Sequence, residues 1–192
     1  MNILRPTIRR FDDWLSGVEG VVPFTEDPSV ILRWQIGRLG WEVPLADCRI
    51  PAGSPVLFVH LWNDRIPQIG GQGADLEWAL QFQRRLVYSF RAMALHMHKT
   101  AGMDQVQAVG GTLTHIHLGT PDGGRRLLEH LGFTIFPYHR PAGAFGEFWE
   151  NFYSWLLLWV YNPPSMQSHA LLGLQRNEFW ATRHDFLKRF AH

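Results

Sequence analysis

Cysteine is almost absent from this chain. Cys48 stands alone, which excludes an internal disulfide and makes a reducing compartment the expectation. An excess of either charge is lacking too. Eighteen Lys and Arg face seventeen Asp and Glu, and the net +1 supplies no general field for nucleic acid or an anionic lipid surface. Long apolar runs are missing. The first twenty residues are broken by Arg5, Arg9, Arg10, Asp12 and Asp13, so no signal peptide is read. There is no Walker loop, no dinucleotide fingerprint, no Gly-x-Ser-x-Gly elbow and no zinc-type Cys/His spacing. The expectation is a soluble, cytoplasmic protein without covalent or nucleotide-driven chemistry.

What is present suits one well-buried domain: 192 residues, 46% hydrophobic and 14% aromatic. Three parts are read along residues 1–192: an N-terminal helix and loop (1–29), a core (30–163) and a helical extension (164–192). Thr7 opens a short helix with Ile8, Phe11, Leu15 and Val18 as its stripe. Leu32, Trp34 and Ile36 alternate with Arg33, Gln35 and Gly37 as in a half-buried strand. Trp41 to Leu45 is a second strand, at an edge because Pro44 lacks an N–H. Pro55 to Trp62 is a third, and the three together read as an antiparallel meander.

A long helix follows from Asp75 to Lys99, with Asp75 as cap and Leu76, Ala79, Phe82, Leu86, Phe90, Met93 and Met97 as the buried stripe. Arg84, Tyr88 and Arg91 share another face, either a clamp for an anion or an ordinary solvated face. Val106 to Val109 and Leu113 to Leu118 read as strand around Gly110-Gly111, Pro121 to Leu131 as helix, and Phe133 to Tyr138 as strand. An aromatic helix spans Phe145 to Val160. Its apolar part is about ten residues, half the roughly twenty that a bilayer requires. It is read as a core helix, with an interfacial anchor or protein-docking helix as the rival. Thr182 to Asp185 resembles a capping box for a terminal helix carrying Phe186, Leu187 and Phe190. The expected class is α+β: a mostly antiparallel sheet of about five strands, packed by a long central helix and an aromatic-rich C-terminal helix.

Candidate chemistry gathers where the third strand ends. Alternation puts His60 and Trp62 on one face, and Asn63, Asp64 and Arg65 crowd the exit before Pro67. His60 and Asp64 are the acid–base candidates. Asn63 and Arg65 are candidate ligand-binding groups, joined by Thr112, Thr114, His115 and His117 if the two strands adjoin. His96 and His98 point apart on a helix and cannot chelate. His115 and His117 share a strand face, yet no third ligand lies nearby in sequence; His60 on a neighbouring strand is the one candidate, and no metal is assigned.

Two family resemblances attach to these residues. Val59-His60-Leu61-Trp62-Asn63-Asp64-Arg65, the long helix, Gly111-Thr112, and Leu131-Gly132-Phe133 before an aromatic helix resemble the YkoP-like domain over about 30–163. Members of that family occur alone or attached to polysaccharide deacetylase domains. The resemblance implies a small polar or envelope-related ligand, without the hydrolase's own Thr-x-Asp-Asp and His-x-x-x-His motifs. Separately, Leu127 to Thr134 is similar to the late helix-and-strand segment of GNAT acyltransferases, and Gln107-x-x-Gly110-x-Thr112 approximates their Gln/Arg-x-x-Gly-x-Gly/Ala loop. As the runner-up to rim binding by a YkoP-like domain, that resemblance implies acyl-CoA as cofactor, with its phosphates at a helix N-terminus and His60 or Asp64 deprotonating an amine. Otherwise no cofactor is expected.

Overall fold

The computed structural model describes Arg10, Trp14 and residues 16–69, 75–114, 122–139 and 176–191. The expected aromatic helix, along with His115 and His117, lies outside the described residues, as does most of the Thr7 helix. A five-stranded sheet forms the centre, in the spatial order β1 (Leu32–Arg38), β4 (Pro55–Leu61), β5 (Ala108–Thr114), β7 (Arg176–Thr182) and β6 (Thr134–Pro137). The class is α+β, as expected. The sheet, however, is mixed rather than mostly antiparallel, because β4 and β5 run parallel. Parallel neighbours need a long crossover, and α1 (Leu76–Lys99) supplies it.

The expected meander is also corrected. β2 (Val43–Pro44) and β3 (Arg49–Ile50) pair only with each other, so β1 pairs directly with β4, from Leu32 opposite Leu61 to Arg38 opposite Pro55. Two-residue strands, one containing a proline without an N–H, have too few ladder bonds to insert into the sheet. They lie instead over one sheet face, where Leu39, Val43 and Ile50 bury Val56, Ala108 and Trp180.

The opposite face carries the main core. Leu57 and Val59 of β4, Val109 and Leu113 of β5, and Phe179 and Ala181 of β7 meet Phe82, Leu86, Phe90, Met93 and Met97 of α1. Phe90, fully buried, lies within 6 Å of the Phe133, Phe186 and Phe190 rings. Rings at such centroid distances add favourable quadrupole contacts to their burial. Asp75 caps α1 by accepting from the Trp78 N–H at 2.8 Å, as its position predicts. The buried stripe starts at Trp78, whereas Leu76 is exposed. The terminal helix α3 (Arg183–Phe190) also has its expected cap: Thr182 accepts from the Asp185 N–H and donates its hydroxyl to the Asp185 carboxylate.

Leu131-Gly132-Phe133 has a purely conformational origin. Gly132 takes φ +88° after α2 (Gly123–His130), while the Phe133 N–H bonds the Leu128 carbonyl and the Gly132 N–H bonds that of Glu129. This is the Schellman way of ending a helix. It demands glycine at the left-handed residue and favours apolar neighbours.

Two glycines in β5 set how closely β7 approaches. A Cβ on Gly110 would lie 2.2 Å from the Phe179 carbonyl oxygen and 2.3 Å from the Trp180 indole; one on Gly111 would lie 2.6 Å from the Val59 carbonyl oxygen. Backbone oxygens cannot swing aside, so the strands themselves would have to shift. Gly110→Ala is expected to lower unfolding free energy in urea by about 3 kcal/mol or to prevent folding. Gly40→Ala, with open space around it, should leave the midpoint unchanged.

Candidate functional site

β4 and β5 are paired over only three couples: Val56 with Ala108, Leu57 with Val109, and Phe58 with Gly110. Both strands then continue, β4 through Leu61 paired with β1 and β5 through Thr114 paired with β7, while the Val59 carbonyl oxygen still lies against Gly111. The sheet is therefore seamed at its centre, on the side where β4 and β5 end. Two residues beyond the last couple, on one face, stand His60 and Thr112. Arg33 lies opposite His60, and Glu178 lies opposite Thr112. Polar side chains thus flank the seam on both sides.

His60 is half-buried, and its Nε2 is 3.0 Å from Oε1 of Gln35 on β1. Burial, aided by the Arg33 guanidinium, pushes its pKa down to about 4. At neutral pH the ring is uncharged, suited to hydrogen bonding and too weak a base to take a proton from an ammonium group. The described geometry thus gives His60 a hydrogen-bonding place and leaves Asp64 as the exposed acid–base candidate at the rim.

Asn63, Asp64 and Arg65 form one 3-10 turn immediately after β4 and Trp62. Arg65 is committed there. Its guanidinium stacks 3.5 Å from the Trp62 ring centroid and donates to the carbonyls of Asp27 at 2.6 Å and Val30 at 3.3 Å. Its own carbonyl accepts from Arg85 of α1. Tyr88 donates to the Asp27 carboxylate at 2.6 Å, which holds that carboxyl below its usual range, and Ser89 accepts from the Ile31 N–H. The loop entering β1 and the turn leaving β4 are thereby both tied to α1. Arg65 acts as a clamp for the rim, and its stack and two carbonyl bonds use the planar, multi-donor geometry that lysine lacks.

Of the remaining candidates, Thr112 is exposed at the seam and Thr114 pairs with Arg176 in the β5–β7 register. His115 and His117 lie outside the described residues. Among the described residues no group of three or more His, Cys, Asp or Glu is placed to hold a metal ion. Nor is any helix there long and apolar enough to cross a membrane.

Glu178 was not anticipated. It is buried, and its carboxylate accepts from Trp41 Nε1, Trp180 Nε1 and the His139 N–H, each at 3.0 Å. The sequence signal existed: a carboxylate alternating with Phe179 and Ala181 inside a strand-like run. That strand, β7, was itself missed. Its seven residues follow a stretch read as helical and lack turn residues around them. Gln68-Ile69-Gly70-Gly71-Gln72-Gly73 also reads Gln-x-x-Gly-x-Gly, immediately before the long helix. Gln107-x-x-Gly110-x-Thr112 matches the same pattern less well, and its Gly110 and Thr112 lie within strand β5, which opens no helix. Against this geometry, no family model, no curated protein and no solved structure matches the chain.

Two outcomes check the site's electrostatics. Between about pH 6.5 and pH 4 the unfolded chain binds a proton at residue 60 that the folded chain does not, so stability falls as pH falls through this window, by about 3 kcal/mol in full. His60→Gln should flatten that limb relative to the parent in denaturant titrations at stepped pH; parallel curves would refute the assignment. Glu178→Gln turns an amide N–H₂ toward N–H donors and should cost about 2 kcal/mol in the same assay at pH 7.

Proposed function

We propose that this chain is a GNAT-like N-acyltransferase that binds acyl-CoA at the seam between β4 and β5. The observation that supports the reading most is the β4–α1–β5 unit, a parallel pair whose ladder stops after three couples while both strands run on. In sheets with parallel units, ligands sit beyond the carboxyl ends of the strands, where neighbouring chains diverge. The Gln68-x-x-Gly71-x-Gly73 spacing ahead of α1 adds to it, since glycines opening a helix let backbone amides approach a pyrophosphate. Gly70 to Ala74 lie outside the described residues, so they contribute through spacing alone.

The reading assigns these roles. Thr112 donates its hydroxyl to the acyl or pantetheine chain, Asn63 orients the acceptor, and His60 serves as an uncharged hydrogen-bonding group. Asp64 accepts a hydrogen bond from the acceptor amine, which reacts as its free base. The amine nitrogen bonds to the thioester carbon, the C–S bond breaks, and the displaced thiolate takes up the proton that the nitrogen sheds. A second reading keeps the same rim for a small polar or polysaccharide-related ligand, as the YkoP-like resemblance implies; the polar row of buried Arg33 and half-buried Gln35 and His60 favours it. An adaptor role for the aromatic helix rests on 145–160, outside the described residues.

Titration calorimetry with acetyl-CoA decides between the two ligand classes. Saturable binding is expected, weakened about tenfold by Thr112→Val with no change in melting temperature. No heat with acetyl-CoA, alongside a thermal shift with amino sugars or sugar nucleotides, would replace acyl transfer by the second reading.

A further inference from the structure

α1 is apolar on two faces, and among the described residues only one of them has a cover. Opposite the core stripe, Leu80, Val87, Tyr88 and Leu95 follow one another at helical spacing. Leu80 is 43% exposed, Tyr88 47% and Leu95 50%. Arg84 and Arg91 stand between them, and Leu80, Gln83, Arg84, Val87, Tyr88 and Arg91 line a shallow depression of about 410 Å³. Surface leucines scattered singly need no explanation, but a continuous stripe beside a depression does.

From the stripe we infer a docking surface for an acidic amphipathic helical segment of a partner protein. Charge selects this occupant. α1 carries one acidic residue, Glu77, against Arg84, Arg85, Arg91 and Lys99. Arg85 is turned inward to the Arg65 carbonyl, whereas among the described residues Arg84 and Arg91 enter no ion pair. The carboxylate at the margin, Asp27, is engaged by the Tyr88 hydroxyl. The two free guanidiniums are two helical turns apart, roughly 10 Å, which suits carboxylates spaced along a segment better than one small anion. A second copy of this chain is disfavoured: a two-fold contact through the stripe sets Arg84 against Arg91 of the other copy and leaves four guanidiniums without carboxylates. The stripe from Leu80 to Leu95 is roughly 22 Å long, the length of a four-turn helix. Apolar anchors on such a helix would enter between the arginines, with its carboxylates outside them.

The test is a selection on the intact chain from a library of sixteen-residue helical peptides. Apolar anchors are fixed at i, i+3, i+4 and i+7, and the remaining positions are randomised among Glu, Gln and Lys. Enrichment of Glu flanking the anchors is expected. By fluorescence anisotropy the selected peptide should bind Arg84→Glu/Arg91→Glu at least tenfold more weakly, and its Lys-substituted version should show the reverse preference. Both substitutions are at exposed positions, and an unchanged melting temperature confirms the fold. Recovery of no binder, enrichment of Lys, or equal affinity for parent and double variant would overturn the proposal. So would concentration-dependent dimerisation abolished by Leu80→Glu, or charge-dependent co-sedimentation with phosphatidylglycerol vesicles without peptide binding, each of which assigns the face to another occupant.

Discussion

The contact between Gly110-Gly111 of β5 and Phe179-Trp180 of β7 is the constraint on which the rest of this fold depends. β5 is the strand where pairing changes from parallel to antiparallel, and it must accept β7 closely on both faces at once. On one face the Trp180 indole occupies the space a Cβ at 110 would take; on the other the Phe179 ring lies 3.2 Å from where a Cβ at 111 would sit. Trp180 then meets Phe58 edge-on across β5, and Phe179 meets Phe133 and the core under α1. Two absent methyl groups thereby join the aromatic clusters of both faces through the middle of the sheet. Close packing of this kind leaves little room for relaxation.

With the centre held so tightly, the end of the β4–β5 ladder after three couples is the feature on which the proposed function rests. Polar groups gather around it, and most of those described are already satisfied. His60 is bonded to Gln35, Arg65 to two carbonyls, and Glu178 to three N–H groups. Buried or half-buried polar atoms need such partners, and fully bonded networks are rigid. The rim is thus a stiff frame beside the seam, with Thr112 and Asp64 exposed on it. Preorganisation of this sort favours orientation of a ligand over titration of a strongly shifted base.

Reading the sequence served best where local rules act alone. The Asp75 and Thr182 caps, the 24-residue helix and the alternation of Leu57, Val59 and Leu61 against Phe58 and His60 all depend on residues within a turn or a strand of one another. It failed where partners are distant. β7 could not be told from its surroundings because its pattern of Glu178 and Trp180 against Phe179 and Ala181 has meaning only beside β5 and β6. Arg65 looked like a ligand-binding cation, and its engagement by Trp62, Asp27 and Val30 involves residues up to 38 positions away.

The sequence by itself determined the α+β class, the apolar faces of the helix and strands, and the helix ends, because propensity, periodicity and capping act over a few residues. Tertiary structure alone decided which strands neighbour one another, since register across β1-β4-β5-β7-β6 is set by packing both faces together. It alone decided that β4 runs parallel to β5, which opens the seam, and that His60 is held neutral by burial beside Arg33. Among the described residues it also left one face of α1 exposed while the other was buried. The amphipathic pattern contains both stripes, and only the position of the sheet chooses between them.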